Sequence, residues 1–436
     1  MKAFIHATVY DFDTYIEDAY ILFDESIHSV GLMKDFINQG VEIIDVKHAV
    51  VMPSLVVGHT HIYSAFARGM SVPFHPTNFV ELLEQLWWKL DRNLSNQMNY
   101  YSGIVASVDY MKHGVTTIID HHASGVDIKD SLNTLKQAVC LDSGLRGIFA
   151  FETSDRFDVD SCIKENSAFM DENKSTFSRG LFGLHASLSL SNATLKRVKE
   201  VLRKNPIHIH VAESEMDQTD SLEKYKKRVV HRLHAAGLLH KNSILSHAIF
   251  VDDSELSVIK KQECVVAVNV TSNMNNGVGL PNMEAMKRHG IPMIIGNDGI
   301  SSSITPEYLA IYYTSHLHAL SPISFGFGDL IQMIQDTYHY AGEMLGVKLG
   351  KIQSGYASDF LVMPYTPPTP LHKDNMFGHL FFGMFHAFVP KDVLVAGSYV
   401  VKNYEVSKKL EQKYKEAQVV AKTLWENIKK EDEYES

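Results

Sequence analysis

The sequence predicts an α/β chain built on a (β/α)8, TIM-like barrel, with a small β-sandwich domain assembled from both termini. Three observations carry that expectation. From Pro53 to about residue 300, short apolar strands alternate with helical stretches, the rhythm of a parallel sheet. Eight such strands can be counted, and eight is the number that closes a barrel with its catalytic groups at the C-terminal strand ends. Both ends of the chain instead read as short strands and turns, with no helical period before residue 53 long enough to form a layer.

In chain order, the β-rich start holds strands at 4–10, 19–23, 41–45 and 49–52. Barrel strands are expected at 55–59, 115–120, 145–152, 181–186, 207–211, 243–247, 265–270 and 292–298. Between them, a helix over 96–113 stops at Gly114 and another opens at the capping residue Ser191. Helices over 305–320 and 328–346 are followed by strands at 359–362, 393–395 and 399–401, with the connector PYTPPTP between the first two. A charged amphipathic helix spans 407–430, and the acidic tail EDEYES is expected to be loose. The resulting division is 1–52 with 353–406 as the small β domain, 53–352 as the barrel, and 407–436 as a C-terminal helix and tail.

Of the 436 residues 45% are hydrophobic and 21% charged, an ordinary globular balance. A formal charge of −10 argues against a nucleic-acid partner, because phosphate binding needs a basic face. Cys140, Cys162 and Cys264 are odd in number and share no C-x-x-C spacing, so no disulfide framework is expected and a reducing cytoplasm is the simplest compartment. The start lacks the apolar core of a signal peptide. The most apolar stretch, 380–389, is broken by Gly383 and His386 and is shorter than the roughly 20 residues of a membrane span. The expectation is a soluble cytoplasmic homo-oligomer, a dimer, that acts on a small molecule without membrane or nucleic acid.

Ionisable residues stand at several strand ends. The first barrel strand finishes G-H-T-H, and strand alternation points His59 and His61 the same way. The fifth finishes H-I-H-V-A-E, which supplies His210 and, as the chain leaves the strand, Glu213. His208 has the same parity but lies deeper and reads as a satisfied core histidine. The sixth ends at His247, and the eighth ends I-I-G-N-D-G at Asp298, where a buried carboxylate is costly unless a cation meets it. His59, His61, His210 and Asp298 suit one divalent metal ion, zinc first and iron(II) or manganese otherwise, with a position open for water. Asp298 then takes the water's proton, Glu213 shuttles a proton to the substrate, and His247 hydrogen-bonds the attacking oxygen.

P-x-x-x-x-x-H-x-H after a β-rich start, H-x-x-E, a lone strand-end histidine and D-G together resemble the amidohydrolase superfamily, in particular its mononuclear aminohydrolase and chlorohydrolase branch. G-V-T-T-I-I-D at 114–120 and G-Y-A-S-D-F-L-V at 355–362 extend the resemblance nearly end to end. Finer features are most similar to the SsnA-type aminohydrolases: Y-S-A-F-A-R-G-M at 63–70, W-W-K-L-D-R at 87–92, D-H-H-A-S at 120–124, F-E-T-S-D-R at 151–156 and S-N-M-N-N at 272–276.

The resemblance implies the same four ligands, Glu213 and His247 around the water, and His185 of G-L-H-A-S against the substrate. Trp88 as a lid, His122, and Arg156 as a fork for carboxylate or phosphate are further candidate substrate contacts. Ser54 and the run Asn269-Val270-Thr271 depart from the family pattern, and no lysine ends the fourth strand, which disfavours a two-metal site. The implied activity is hydrolytic deamination of an amino-substituted heterocycle, a hydrolysis of a carbon–nitrogen bond other than a peptide bond. Dechlorination or amide hydrolysis on the same ion, and a non-catalytic scaffold, are the alternatives.

Overall fold

The computed structural model describes residues 1–38 and 40–435. The start of the chain forms β1 (Lys2–Tyr10), β2 (Tyr15–Phe23), β3 (Ile27–Leu32), β4 (Glu42–Asp45) and β5 (Val50–Pro53). There follow β6 (Leu55–Thr60), β7 (Val115–His122), β8 (Arg146–Phe151) and β9 (Ser178–Gly180), which make one parallel sheet. A second parallel sheet contains β10 (Phe182–Ala186), β11 (Ile207–Val211), β12 (Ile244–His247), β13 (Val265–Val268) and β14 (Met293–Ile295). Near the C-terminus come β15 (Phe360–Met363), β16 (Asp392–Val395) and β17 (Ser398–Val401).

The eight strands expected between 53 and 300 are therefore present, and every residue in them is buried. Parallel strands covered on both faces need such apolar runs rather than alternation. The two parallel sheets approach each other at both edges. Beyond β8 and inside β10, Thr153 bridges Leu184 in parallel. Beyond β14, the N–H groups of Asn297 and Asp298 donate to the carbonyl of His59 in β6, at 2.9 and 3.2 Å.

Strands from both termini join in one eight-stranded mixed sheet, ordered β17-β16-β15-β5-β1-β2-β3, with β4 also on β1. β1 changes partner along its length: Lys2 to Ile5 pair with β4, whereas Thr8 and Val9 pair with β5. Between them His6 takes φ 54, a left-handed kink in the strand. Phe4, Phe23 and Phe360 pack ring to ring beneath it, with centroids 4.7 to 5.7 Å apart.

Several expectations are corrected. The strand expected over 265–270 stops at Val268, and Val270 opens a short helix, Val270–Asn276. The strand expected to reach Asp298 ends at Ile295, because beyond it the backbone donates to His59 instead of extending the ladder. β3 and β9 are additional strands. The tail is not loose: helix Lys408–Glu435 carries on through it, and only Ser436 lies outside the described residues. Basic partners explain this. Glu431 lies 2.6 Å from Arg92 Nε and accepts from Asn93 at 2.7 Å, and Asp432 pairs with Lys89. No helix among the described residues is long and apolar enough to cross a membrane.

Candidate metal centre and active site

His59 is the penultimate residue of β6, and His61 follows the strand with its ring also turned to Asp298. His210 lies in β11 and His247 ends β12. Asp298 stands past β14 with φ 55, and His247 has φ 69. Both occupy left-handed backbone that ordinary side chains rarely adopt, a strain that persists only where surrounding structure enforces it.

Asp298 Oδ1 is 2.9 Å from His59 Nε2 and 3.1 Å from His61 Nε2. His210 Nε2 lies 3.1 Å from His61 Nε2 and 3.9 Å from Asp298 Oδ1. One donor atom from each of these four residues falls within 4.8 Å of all the others. The remaining ring nitrogens are held from behind. His61 Nδ1 donates to the His121 carbonyl at 2.6 Å, and His210 Nδ1 donates to the His185 carbonyl at 2.9 Å. His59 Nδ1 faces His208 Nε2 at 2.8 Å, where one proton is shared between them. With those protons held behind, neutral His61 and His210 rings would face each other through unprotonated Nε2 atoms, a repulsion that a cation between them would relieve. Three imidazoles and one carboxylate so arranged fit a single divalent ion. His208, expected as a satisfied core histidine, holds His59 from behind instead, and its own Nδ1 is buried without a hydrogen bond.

Beside this cluster, Glu213 Oε2 is 3.6 Å from His247 Nε2, and Asp298 Oδ2 is 3.8 Å from the same atom. Burial pushes the Glu213 carboxyl up to about 7, with the charge of Asp298 adding to the effect and His247 opposing it. The short helix after β13 serves all three groups. Ser272 donates to Asp298 Oδ2 at 2.6 Å, Asn273 accepts from His247 Nδ1 at 2.8 Å, and Asn276 donates to Glu213 at 3.4 Å.

A cavity opens over this site, with Trp87, Trp88, Tyr63 and Phe79 among its walls. Of the candidate substrate contacts, His185 and Trp88 line it, their rings 6.1 Å apart. Arg156 and His122 stand behind the wall. Both terminal nitrogens of Arg156 are on Asp91, at 3.1 and 2.8 Å, and the guanidinium lies 4.7 Å from the Trp88 ring. His122 is fully buried on Ser124. Glu152, which sequence reasoning did not single out, also lines the cavity, and burial pushes its carboxyl up to about 8. Its signal was position: it directly follows β8, within F-E-T-S-D-R. The S-N-M-N-N segment was likewise visible as a motif without a role.

The model of the amidohydrolase family matches residues 50–400. A 5'-deoxyadenosine deaminase from Methanopyrus kandleri is 26% identical over 91% of this chain and 93% of its own. A 5-methylthioadenosine/S-adenosylhomocysteine deaminase from Bacillus cereus is 24% identical over 89% of this chain and 91% of its own. Among solved structures, an adenosine deaminase from Xanthomonas campestris with bound zinc superposes with a TM-score of 0.83 at 18% identity, covering 97% of this chain and 98% of its own. An atrazine chlorohydrolase from Arthrobacter aurescens, complexed with zinc, gives 0.80 at 18%, covering 97% and 100%. At such identity these two establish the fold alone.

Proposed function

The chain belongs to the amidohydrolase family, and from that premise we propose that it is a deaminase of amino-substituted heterocycles holding one zinc ion. The observation that carries this reading is the convergence of His59, His61, His210 and Asp298, with their other atoms tied from behind, next to Glu213 and His247. A divalent ion bound there lowers the pKa of water from about 15.7 toward 7. Asp298 faces the ligand histidines with Oδ1, so its Oδ2, on Ser272, is the atom free to take the water's proton. Glu213, whose proton affinity lies near neutrality, protonates the ring nitrogen beside the attacked carbon. His247 Nε2 faces both carboxylates and hydrogen-bonds the attacking oxygen as it gains charge. As the carbon–nitrogen bond breaks, ammonia leaves with the proton passed on by Asp298, the carbonyl forms, and the hydroxyl proton it releases returns to Glu213, restoring the starting state.

The names of the relatives favour deamination, and the zinc in both structural neighbours favours that metal. The contacts between the two parallel sheets at both edges support closure into a (β/α)8 barrel, with the site at its C-terminal face. The partner switch of β1 at His6 supports a terminal β domain of two leaves. Ammonia release from a panel of purines, pterins, pyrimidines and triazines, with metal content measured on the same sample, tests the function. About one zinc per chain and release from at least one member are expected; metal-replete protein that releases nothing from the panel would sink deamination.

A further inference from the structure

The charges around the cavity bear on which molecules it accepts. Asp91, Glu152, Glu213, Asp217 and Asp298 line it, and among the described residues no lysine or arginine does. Four of those carboxylates already have partners. Asp298 meets the ligand histidines, Asp91 holds both terminal nitrogens of Arg156, Asp217 accepts the Ala212 N–H at 2.8 Å, and Glu213 accepts from Asn276.

Asp217 keeps that bond on Oδ2 while its Oδ1 is buried without one, and Glu152 receives no hydrogen bond among the described residues on either oxygen. Glu152 is only 1% exposed, and its Oε1 is buried without a hydrogen bond. That oxygen lies 3.3 Å from His61 Nδ1 and 3.4 Å from His121 Nδ1. The His61 proton, however, goes to the His121 carbonyl, and both His121 ring nitrogens lack hydrogen bonds as well. The other oxygen, Oε2, is 3.8 Å from His185 Nε2 on the cavity wall. Burial disfavours the charged form of Glu152, and a ligand N–H brought against Oε2, the oxygen on the His185 side of the cavity wall, would favour it. Glu152 lies against His61, His121 and His185, whereas Glu213 lies against His247 and Asn276. The two carboxylates therefore meet a bound ring at different points.

We propose that Glu152 is a substrate-recognition residue that accepts a hydrogen bond from an N–H group of the substrate away from the reacting carbon, and that it confines the site to neutral or cationic, donor-rich amino heterocycles. Anionic rings are rejected, because among the described residues no lysine or arginine lines the cavity and the Arg156 guanidinium behind its wall is already on Asp91. Trp87, Trp88, Tyr63 and Phe79 supply the flat faces for such a ring. The inference rests on the deaminase reading, and it is separable from it by experiment.

Zinc-loaded parent protein, Glu152→Gln and Glu152→Met are compared in calorimetric binding and ammonia release. The probes are matched pairs with and without an anionic group: pterin against 6-carboxypterin, and adenosine against its 5'-phosphate. In the parent, the uncharged member of at least one pair should bind ~10-fold or more tighter than the anionic member. Both variants should keep zinc, weaken that uncharged ligand ~10- to 100-fold with KM affected more than kcat, and narrow the preference against the anion. Should Glu152→Met fail to fold, the isosteric Gln variant carries the comparison alone. Equal binding of both members of every pair by the parent overturns the proposal. So does loss of zinc in Glu152→Gln with unchanged binding after reconstitution, which would make Glu152 a positioning residue for His61. Preferential binding without ammonia release would sink the deaminase reading alone, and ammonia release without preference would sink this one alone.

Discussion

At the scale of single residues, the proposed metal ligands and the proposed proton carrier differ in what holds them. The ligand histidines are tied through their far nitrogens to His208 and to the carbonyls of His121 and His185. Glu213 has only a long hydrogen bond from Asn276 and lies 3.6 Å from His247. Removing ligands and removing a proton carrier should therefore have separable effects. His59→Ala with His61→Ala should abolish metal binding and activity while far-UV circular dichroism stays that of the parent; full metal occupancy in the purified double variant would refute the ligand assignment. Glu213→Gln keeps the side chain's shape but not its basicity. Its metal content should stay near the parent's while kcat falls by a factor on the order of 10² to 10⁴, the usual worth of a positioned general acid–base. Metal loss in that variant would make Glu213 a ligand.

Secondary-structure elements are joined through a few charged contacts, and the C-terminal helix Lys408–Glu435 shows how. Its apolar residues Leu424 and Ile428 pack in a cluster with Leu94 and Met98. At its other end, Lys413 Nζ reaches Asp142 at 3.0 Å, and Tyr100 donates to the same carboxylate oxygen at 2.6 Å. Burial opposes ionisation of Asp142, but these hydrogen bonds and the Lys413 charge outweigh it and lower the carboxyl from 3.8 to about 2. A depressed carboxyl stabilises the fold above its unfolded pKa and stops doing so as pH falls through the folded value, here from about 4 to 2. The gain is on the order of 2 kcal/mol. Asp142→Asn should accordingly lower Tm at pH 7, with the difference from the parent closing only below about pH 4 in scanning calorimetry. A difference that stays constant down to pH 3 would exclude this linkage.

Across the whole molecule, the terminal sheet and the parallel sheets share a buried ion pair. Arg146 at the start of β8 holds Asp359, next to β15, through Nε at 2.8 Å and Nη2 at 3.0 Å, and its Nη1 donates to the Thr176 carbonyl at 2.7 Å. Asp359 also accepts the Ala396 N–H at 2.8 Å. Arg146→Ala leaves that carboxylate buried without its cation and should cost ~3–5 kcal/mol in equilibrium unfolding. A variant within 1 kcal/mol of the parent would show that the pair does not couple the two regions. Deleting the first 50 residues should have a harsher result, because β1 is paired to β2, β4 and β5 and its loss uncovers Phe360 and Val362. Insoluble protein is expected; a soluble, active truncation would show that the two termini do not cooperate.

Local features were legible in the sequence wherever the cause is itself local. β11 spans 207–211 as alternation and apolarity predicted, and Ser191 caps its helix by accepting from Thr194. Two-residue spacing sufficed to put His59 and His61 on one side, and strand-end placement sufficed to bring them to His210 and Asp298. What tertiary structure alone decided are the destinations of side chains and backbone groups whose partners lie far along the chain. An arginine fork at position 156 matches a substrate carboxylate or an internal one equally well, and only the approach of Asp91 selects the internal one. Residues 296–298 read as a strand, but the His59 carbonyl takes the N–H groups of Asn297 and Asp298 and turns Asp298 toward the ligand histidines. Glu152, directly after β8, is marked in the sequence by that position alone. Its burial against His61, His121 and His185, without a hydrogen bond to Oε1, exists only once β6, β7, β8 and β10 are brought together.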